Sequence, residues 1–426
     1  GLSLSNYTNE SSSIYLKGSI YDFGIQLSHL DGKQGLTGNL HLNNYDYSNT
    51  DLYIDYLINL NEEKISIRPA ISYQSAYVND KPYTVDVGDF GTFNNEGRIN
   101  NFAGSLKIDI NPIENLRLIL AGRYDKFNYP SDGVLSYQGI INYTIKSDHI
   151  FRLVSGKSYN GSFLMPSLIN SPSPTGPNMT LTLIGNQNLD LLSNTMYEIG
   201  YKTKVLKNTT LDIAFFNQRF ENYNNLIAQI PEFNPADGSL NFNFLTQNLP
   251  LEVTQQGMTI SLQTSLFDEK LFLRPNITIQ ESKADNYSPY YNVEGAFDNP
   301  AFNYVLGEHK DNLESVTSEF TPSYFGGLNI IYRPIQRLTI DLSSYYYDDY
   351  IMHMNAEASF FDGSINDQVG SSIKGKMLIN GQVRYEVRSN FKISLNARNI
   401  TNQDAAEGFG SDRLSAYYGV GLSLNY

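Results

Sequence analysis

The feature that most constrains this chain is how its connections sort by length. Apolar and polar residues alternate through segment after segment. Phe391, Ile393, Leu395 and Ala397 interleave with Lys392, Ser394, Asn396 and Arg398. Leu271, Leu273, Pro275, Ile277 and Ile279 interleave with Phe272, Arg274, Asn276, Thr278 and Gln280. A period of two marks strands. Segments 338–343, 210–215, 258–263, 197–202 and 64–72 read alike, helical stripes are rare, and the chain is all-β. Between the strands, short links at 387–390, 333–337, 267–270, 206–208 and 145–148 take turns with long ones at 349–372, 281–317, 221–255 and 157–193. The links at 111–115 and 61–64 are short as well. Strands joined tightly at one end and loosely at the other form an antiparallel up-and-down meander. Greek-key sandwiches do not sort loops by end, and a propeller would repeat every ~40–50 residues.

This sorting predicts a transmembrane up-and-down antiparallel β-barrel with short periplasmic turns, long extracellular loops, apolar residues toward lipid and polar ones toward the lumen. A bilayer has no water to satisfy backbone groups, so a strand-built span closes on itself. The closing segment 415–426 fits. Ala416, Tyr418, Val420, Leu422 and Leu424 face lipid, Tyr426 anchors at the headgroups, and Ser415, Tyr417, Gly419, Gly421, Ser423 and Asn425 face inward. With 32 Tyr, 23 Phe and no Trp, tyrosine and phenylalanine must form both interfacial girdles. About 17 or 18 strands are expected, residues 12–30 reading as one long strand or two. Barrels of one chain have even strand numbers. The expectation is therefore that 1–426 is the barrel domain of a protein whose N-terminal part precedes Gly1.

Composition excludes other classes. Charged residues are 17% and the net charge is −14, which argues against nucleic acid as a partner, since phosphate contacts need Lys and Arg clusters. Without cysteine there are no disulfides or thiolate metal sites. No apolar run approaches the ~20 residues of a membrane helix. The opening GLSLSNYTNESSS has neither the basic start nor the apolar core of a signal peptide.

Four stretches carry a family resemblance. NLRLILAGRYD (115–125), HIFRLVSGKSYNGSFLMPSL (149–168), IGNQNLDLLSNTMYEIGYK (184–202) and FKISLNARNITNQ (391–403) resemble, in order and spacing, motifs of TonB-dependent outer-membrane receptors. Together they span roughly 98–426. Gln187 and Leu192 depart from the hallmark proline and acid, and Asn160 and Gly161 replace a basic–small pair. The resemblance implies a barrel of 22 strands whose plug domain, TonB-contacting segment and first strands lie outside this chain. It implies active uptake of a scarce ligand (siderophore, haem, cobalamin, oligosaccharide or peptide) and no enzymatic activity or cofactor. Its implied partners are outer-membrane lipid, periplasmic TonB, the small ligand and a surface lipoprotein. The Asn-, Tyr- and Ile-rich composition suggests a Bacteroidetes source. A plug-less diffusion channel and a barrel subunit of an outer-membrane complex are the alternatives.

Ligand contacts are expected from lumen-facing residues near strand tops and from long loops. In SSYYYDDYIMHMN, Tyr345 and Tyr347 share the inward face with Asp341 and Ser343, Tyr346 faces out, and Asp348, Asp349, Tyr350 and His353 lie at the loop base. Tyr287, Tyr290 and Tyr291 in NYSPYYN are the second group. Tyrosine offers flat apolar area and a hydroxyl, suited to sugars or aryl chelates, although an upper girdle would also hold such residues. The five histidines show no metal spacing. Asp348 and Asp349 with His353 are the nearest thing to a catalytic group. Asp80, Asp86 and Asp89 read as a solvated loop, and Asp237-Gly238 as a hairpin inside an extracellular loop.

Overall fold

The computed structural model describes residues 3–17, 23–37, 43–61, 64–81, 91–93, 95–146, 148–287, 313–353, 370–403 and 415–424. One antiparallel sheet dominates, and seventeen strands form its wall. In chain order they are β1 (Ser3–Lys17), β2 (Phe23–Thr37), β3 (Asn43–Tyr56), β4 (Ile65–Asn79), β5 (Glu96–Ile113), β6 (Leu116–Phe127), β7 (Gly133–Ile145), β8 (His149–Tyr159) and β9 (Ser193–Leu206). There follow β10 (Thr209–Glu221), β11 (Glu252–Leu266), β12 (Leu271–Tyr287), β13 (Tyr324–Ile335), β14 (Leu338–Tyr347), β15 (Lys376–Arg388), β16 (Phe391–Arg398) and β17 (Tyr417–Leu424). Successive strands pair with one another from β1 to β9, the meander that the loop lengths predict. The same holds from β9 to β17. Residues 12–17 belong to β1 and residues 23–30 to β2, so this stretch contributes to two strands. Among the described residues no ladder joins β1 to β17.

The register sorts the two faces. Leu395 stands opposite Val383 and Val420, and Asn396 opposite Gln382 and Gly419. The apolar face is bare: Val420 and Leu422 are each 71% exposed, Ile199 62% and Leu120 56%. Soluble monomers rarely expose apolar patches beyond a few hundred Å², so this face requires lipid. Outward aromatics bound the band at both ends. Tyr143, Phe151, Tyr332 and Tyr385 lie near the short turns, and Tyr73, Phe102, Tyr137 and Tyr324 toward the long loops, all exposed. Tryptophan is not needed for either girdle.

Charge marks where lipid stops. Arg219 is ten residues above Thr209 on β10 and bonds Glu252 at 2.6 Å, while Lys283 bonds Asp285 at 2.9 Å near the top of β12. A tilted strand crosses hydrocarbon in ~9–11 residues, so these strands continue above the membrane. The polar face is wet and ion-paired: Arg117 with Asp109 (2.6 Å), Arg123 with Asp125 (2.8 Å) and Arg152 with Glu198 (2.7 Å).

The long loops carry their own architecture. Asn170–Gly176, Met179–Ile184, Asn224–Ala228, Glu232–Asn234 and Ser239–Asn248 form a second sheet above the wall. Met179–Ile184 from one loop runs parallel to Ser239–Asn248 from the next. Glu232–Asn234 turns back onto the latter through Asp237 and Gly238, whose φ of 70° suits glycine. This is the expected hairpin.

Asp80 corrects the expectation of a solvated loop. It is fully buried, and its carboxylate accepts the Phe93 and Asn95 amides at 2.6 and 2.8 Å. The charge is tolerated because backbone donors replace its water. Asp86, Asp89 and Tyr426 lie outside the described residues.

Two outcomes are expected. Leu395→Arg and Leu422→Arg should each cost about 2–4 kcal/mol of folding stability at the midplane. Asn396→Arg and Ser423→Arg should cost far less, and a heat-modifiability assay of assembled barrel separates the two sets. Single cysteines at Asn286 and Asp237 should react with impermeant thiol reagents on intact cells, and those at Asp268 and Ser389 should not. The reverse pattern would invert the orientation.

Candidate functional site

The wall brings part of the expected tyrosine group together. On β14, Tyr345 and Tyr347 share a face with Asp341 and Ser343, opposite Leu378 and Lys376 on β15. Tyr346 lies on the other face, stacked on Tyr324 at 5.7 Å. The Tyr345 and Tyr347 rings are 6.0 Å apart, and Tyr350 meets Tyr347 edge-on at 5.9 Å. Lys376, which the sequence reading missed, is 3% exposed and sets its ammonium 5.9 Å from the Tyr347 ring centre. A cation at that range is attracted by the ring's negative face. A lysine opening a strand carried no signal until its cross-strand partner was known.

Asp348 and Asp349 have separate surroundings. The Asp348 amide donates to the Tyr324 carbonyl at 3.1 Å, prolonging the ladder between β13 and β14. The Asp349 carboxylate instead accepts the Gly375 amide at 2.6 Å and the Lys374 ammonium at 3.2 Å. Those donors, the amide first, hold its carboxyl below the usual range. It closes the hairpin of Tyr350–His353 with Gly370–Ile373. With its oxygens so occupied, Asp349 makes a clamp. His353 pairs through its backbone with Gly370, and its side chain lies outside the described residues.

Tyr287 is not part of that cluster. It ends β12 above a register shift, opposite Glu314, with its ring 6.3 Å from Phe320. Burial pushes its hydroxyl pKa up. Segment 318–321 ties the two regions: the Ser318 amide donates to the Ser282 carbonyl, and the Glu319 carbonyl accepts the Ile351 amide, both at 2.7 Å. Tyr290 and Tyr291 lie outside the described residues.

Below the rim, the polar face of the wall holds a recess of about 540 Å³ lined by Tyr53, Arg68, Lys107, Arg123, Gln138 and Asn194. Arg68 pairs with Asp55 at 3.4 Å and Arg123 with Asp125. Its members come from six strands, a gathering that no local motif displays.

Two of the motif stretches meet at the extracellular rim. A short helix, α1 (Leu164–Leu168), packs with Tyr159 on a core of Ile99, Phe127 and Leu191. The Asn160 amide donates to Leu192 and the Asn186 amide to Pro166, both at 2.9 Å. A Cβ on Gly185 would sit 2.6 Å from the Leu168 nitrogen, so glycine is required for this close approach.

The comparisons agree with this architecture. The model for the TonB dependent receptor-like β-barrel matches residues 2–400. The chain belongs to that family. It is therefore an integral β-barrel of the bacterial outer membrane. The siderophore receptor PirA from Acinetobacter baumannii superposes with a TM-score of 0.71 at 11% identity, over 98% of this chain and 62% of that one. A point mutant of the ferric enterobactin receptor PfeA from Pseudomonas aeruginosa gives 0.67 at 11%, over 97% and 60%. The outer membrane transporter YddB from Escherichia coli gives 0.55 at 14%, over 99% and 65%. The chain thus spans about three fifths of the length of PirA and PfeA. No curated protein sequence matches it. Members of this family are transporters and receptors rather than enzymes.

The Asp349 clamp has a defined pH response. A depressed carboxylate pKa makes its contribution complete above the ordinary carboxylate range and lost as pH falls through the lower, folded value. Hydrogen exchange at Gly375, corrected for intrinsic rate, should therefore stay level from pH 7 to about pH 5 and accelerate only below about pH 4. Asp349→Asn should remove the step.

Proposed function

We propose that this barrel is the translocating part of an outer-membrane active transporter that takes up a scarce small ligand on energy delivered by TonB. The carrying observation is the cluster of Tyr345, Tyr347 and Tyr350 with the half-stacked Lys376, where the wall opens to the outside. Its flat rings suit a ligand with ring faces, such as an aryl chelate or a sugar, and the buried Lys376 ammonium braces the Tyr347 ring. The recess lower on the same polar face supplies hydroxyls, amides and cations, the lining of a wet passage. In this reading TonB acts through a plug domain encoded ahead of these residues, and further strands join β1 and β17, whose outer edges pair with nothing among the described residues.

The test measures accumulation of a labelled panel (ferric enterobactin, haem, cyanocobalamin and maltohexaose) in cells expressing the full-length protein, with and without TonB. At least one member should accumulate only when TonB is present. Tyr347→Ala should cut its binding by about tenfold, as truncation of a binding hot spot does (~1.4 kcal/mol). Entry that persists without TonB would make the barrel a diffusion channel instead.

A further inference from the structure

A second cavity lies at the extracellular rim, away from the tyrosine cluster. It measures about 260 Å³ and is lined by Asn160, Ser162, Phe163, Asp190, Tyr223 and Asn224, with Pro130 and Pro166 closing its sides. Four loop segments converge on it, fixed by the helix α1 and by Asn248, whose side chain accepts the Asp190 amide and donates to the Asp190 carbonyl. Tyr223 is anchored through its carbonyl by the Leu249 amide. The framework is thus fixed through main-chain groups, capped at Asp190 by the Asn248 side chain, while of the lining hydroxyls that of Ser162 lies 3.3 Å from that of Ser167. Among the described residues, neither the Asp190 carboxylate nor the Tyr223 hydroxyl has a hydrogen-bond partner or ion pair, although burial pushes the Tyr223 hydroxyl pKa up. Phe163 is 60% exposed beside them.

No lysine, arginine or histidine lines this cavity, in contrast to the recess in the wall. An anionic chelate therefore finds no counter-charge here and meets a carboxylate instead. What the cavity does offer is flat apolar area from Phe163 and Tyr223, one bidentate acceptor, and amides and hydroxyls that both donate and accept. A ring with hydroxyls on its edge and C–H groups on its face uses all of these. A quaternary ammonium could use the rings and the carboxylate, but would leave the donors of Asn160 and Asn224 unmatched. The volume is near the lower end of small-ligand sites, enough for a single sugar ring.

We propose that the rim cavity between α1 and Tyr223 is a subsite for a neutral hexose unit, with Asp190 accepting from two adjacent hydroxyls and Phe163 or Tyr223 against the ring face. The proposal deepens the uptake reading and rests on it, since it names the chemistry of a ligand first captured at the mouth. It needs no TonB, so it can be tested separately.

The experiment is saturation-transfer NMR on the full-length protein in detergent micelles, with maltotriose and N-acetylglucosamine as probes and with choline and citrate as cationic and anionic controls. Transfer to sugar ring protons is expected, with little to choline or citrate. Asp190→Asn and Tyr223→Ala should each weaken sugar binding about tenfold, and Tyr223→Phe should separate the loss of the hydroxyl from the loss of the ring. Unchanged heat-modifiability on gels would show that each variant still forms the barrel. Absence of transfer to either sugar, equal transfer in Asp190→Asn and in Tyr223→Phe, or stronger transfer to choline would overturn the proposal. TonB-dependent uptake of an unrelated ligand alongside any of those results would leave the transport reading standing and remove only the hexose subsite.

Discussion

The structure depends on one constraint, that in hydrocarbon every backbone amide and carbonyl must find a partner within the protein. Each failure costs several kcal/mol. Between β1 and β17 the meander meets this with near-neighbour ladders, and among the described residues only the outer edges of those two strands lack one. Once the backbone is satisfied between strands, the side chains are free to answer to two solvents. Outward positions become Leu, Ile and Val between Tyr and Phe girdles, and inward positions become Ser, Asn and paired ions such as Arg152 with Glu198. The low charged fraction of the chain follows from the same division, because half of each membrane-crossing strand cannot carry charge.

Above the membrane the constraint relaxes and water returns. Here β10, β11 and β12 continue with outward ion pairs, and two loops build a sheet of their own, including a parallel pairing that an up-and-down wall does not contain. Parallel pairs need distant connections, and the long loops supply them. The wall is therefore a rigid base, and recognition is expected on this upper storey. The tyrosine–lysine cluster and the rim cavity both sit where strands give way to loops.

Legibility in the sequence follows the range of the interaction. A strand's period of two is local, so segment 391–398 reveals both of its faces without knowledge of its neighbours, and β16 has those faces. Asp237-Gly238 is equally local, because positive φ at a turn demands a residue such as glycine. Asp80 fails this test. Its partners are amides thirteen and fifteen residues further on, so its charge reads as exposure while its geometry makes it a buried acceptor. Lys376 and the cavity around Tyr223 fail for the same reason. Each is defined by segments that only the register or the loop packing brings together.

The separation of the two candidate sites has a mechanical consequence. The tyrosine cluster stands on β14 and β15, continuous with the wall, so its geometry is set by the same ladder that crosses the membrane. The rim cavity instead rests on α1, on the Gly185 crossing and on side-chain caps such as Asn248, all of them above the lipid. Loss of one capping bond there costs about 1 kcal/mol, enough to reshape a loop but too little to open a barrel. The shape of the rim cavity can therefore change through loop substitutions while the transmembrane wall keeps its stability, and the lumen-facing cluster cannot change so freely without disturbing the strands that hold it.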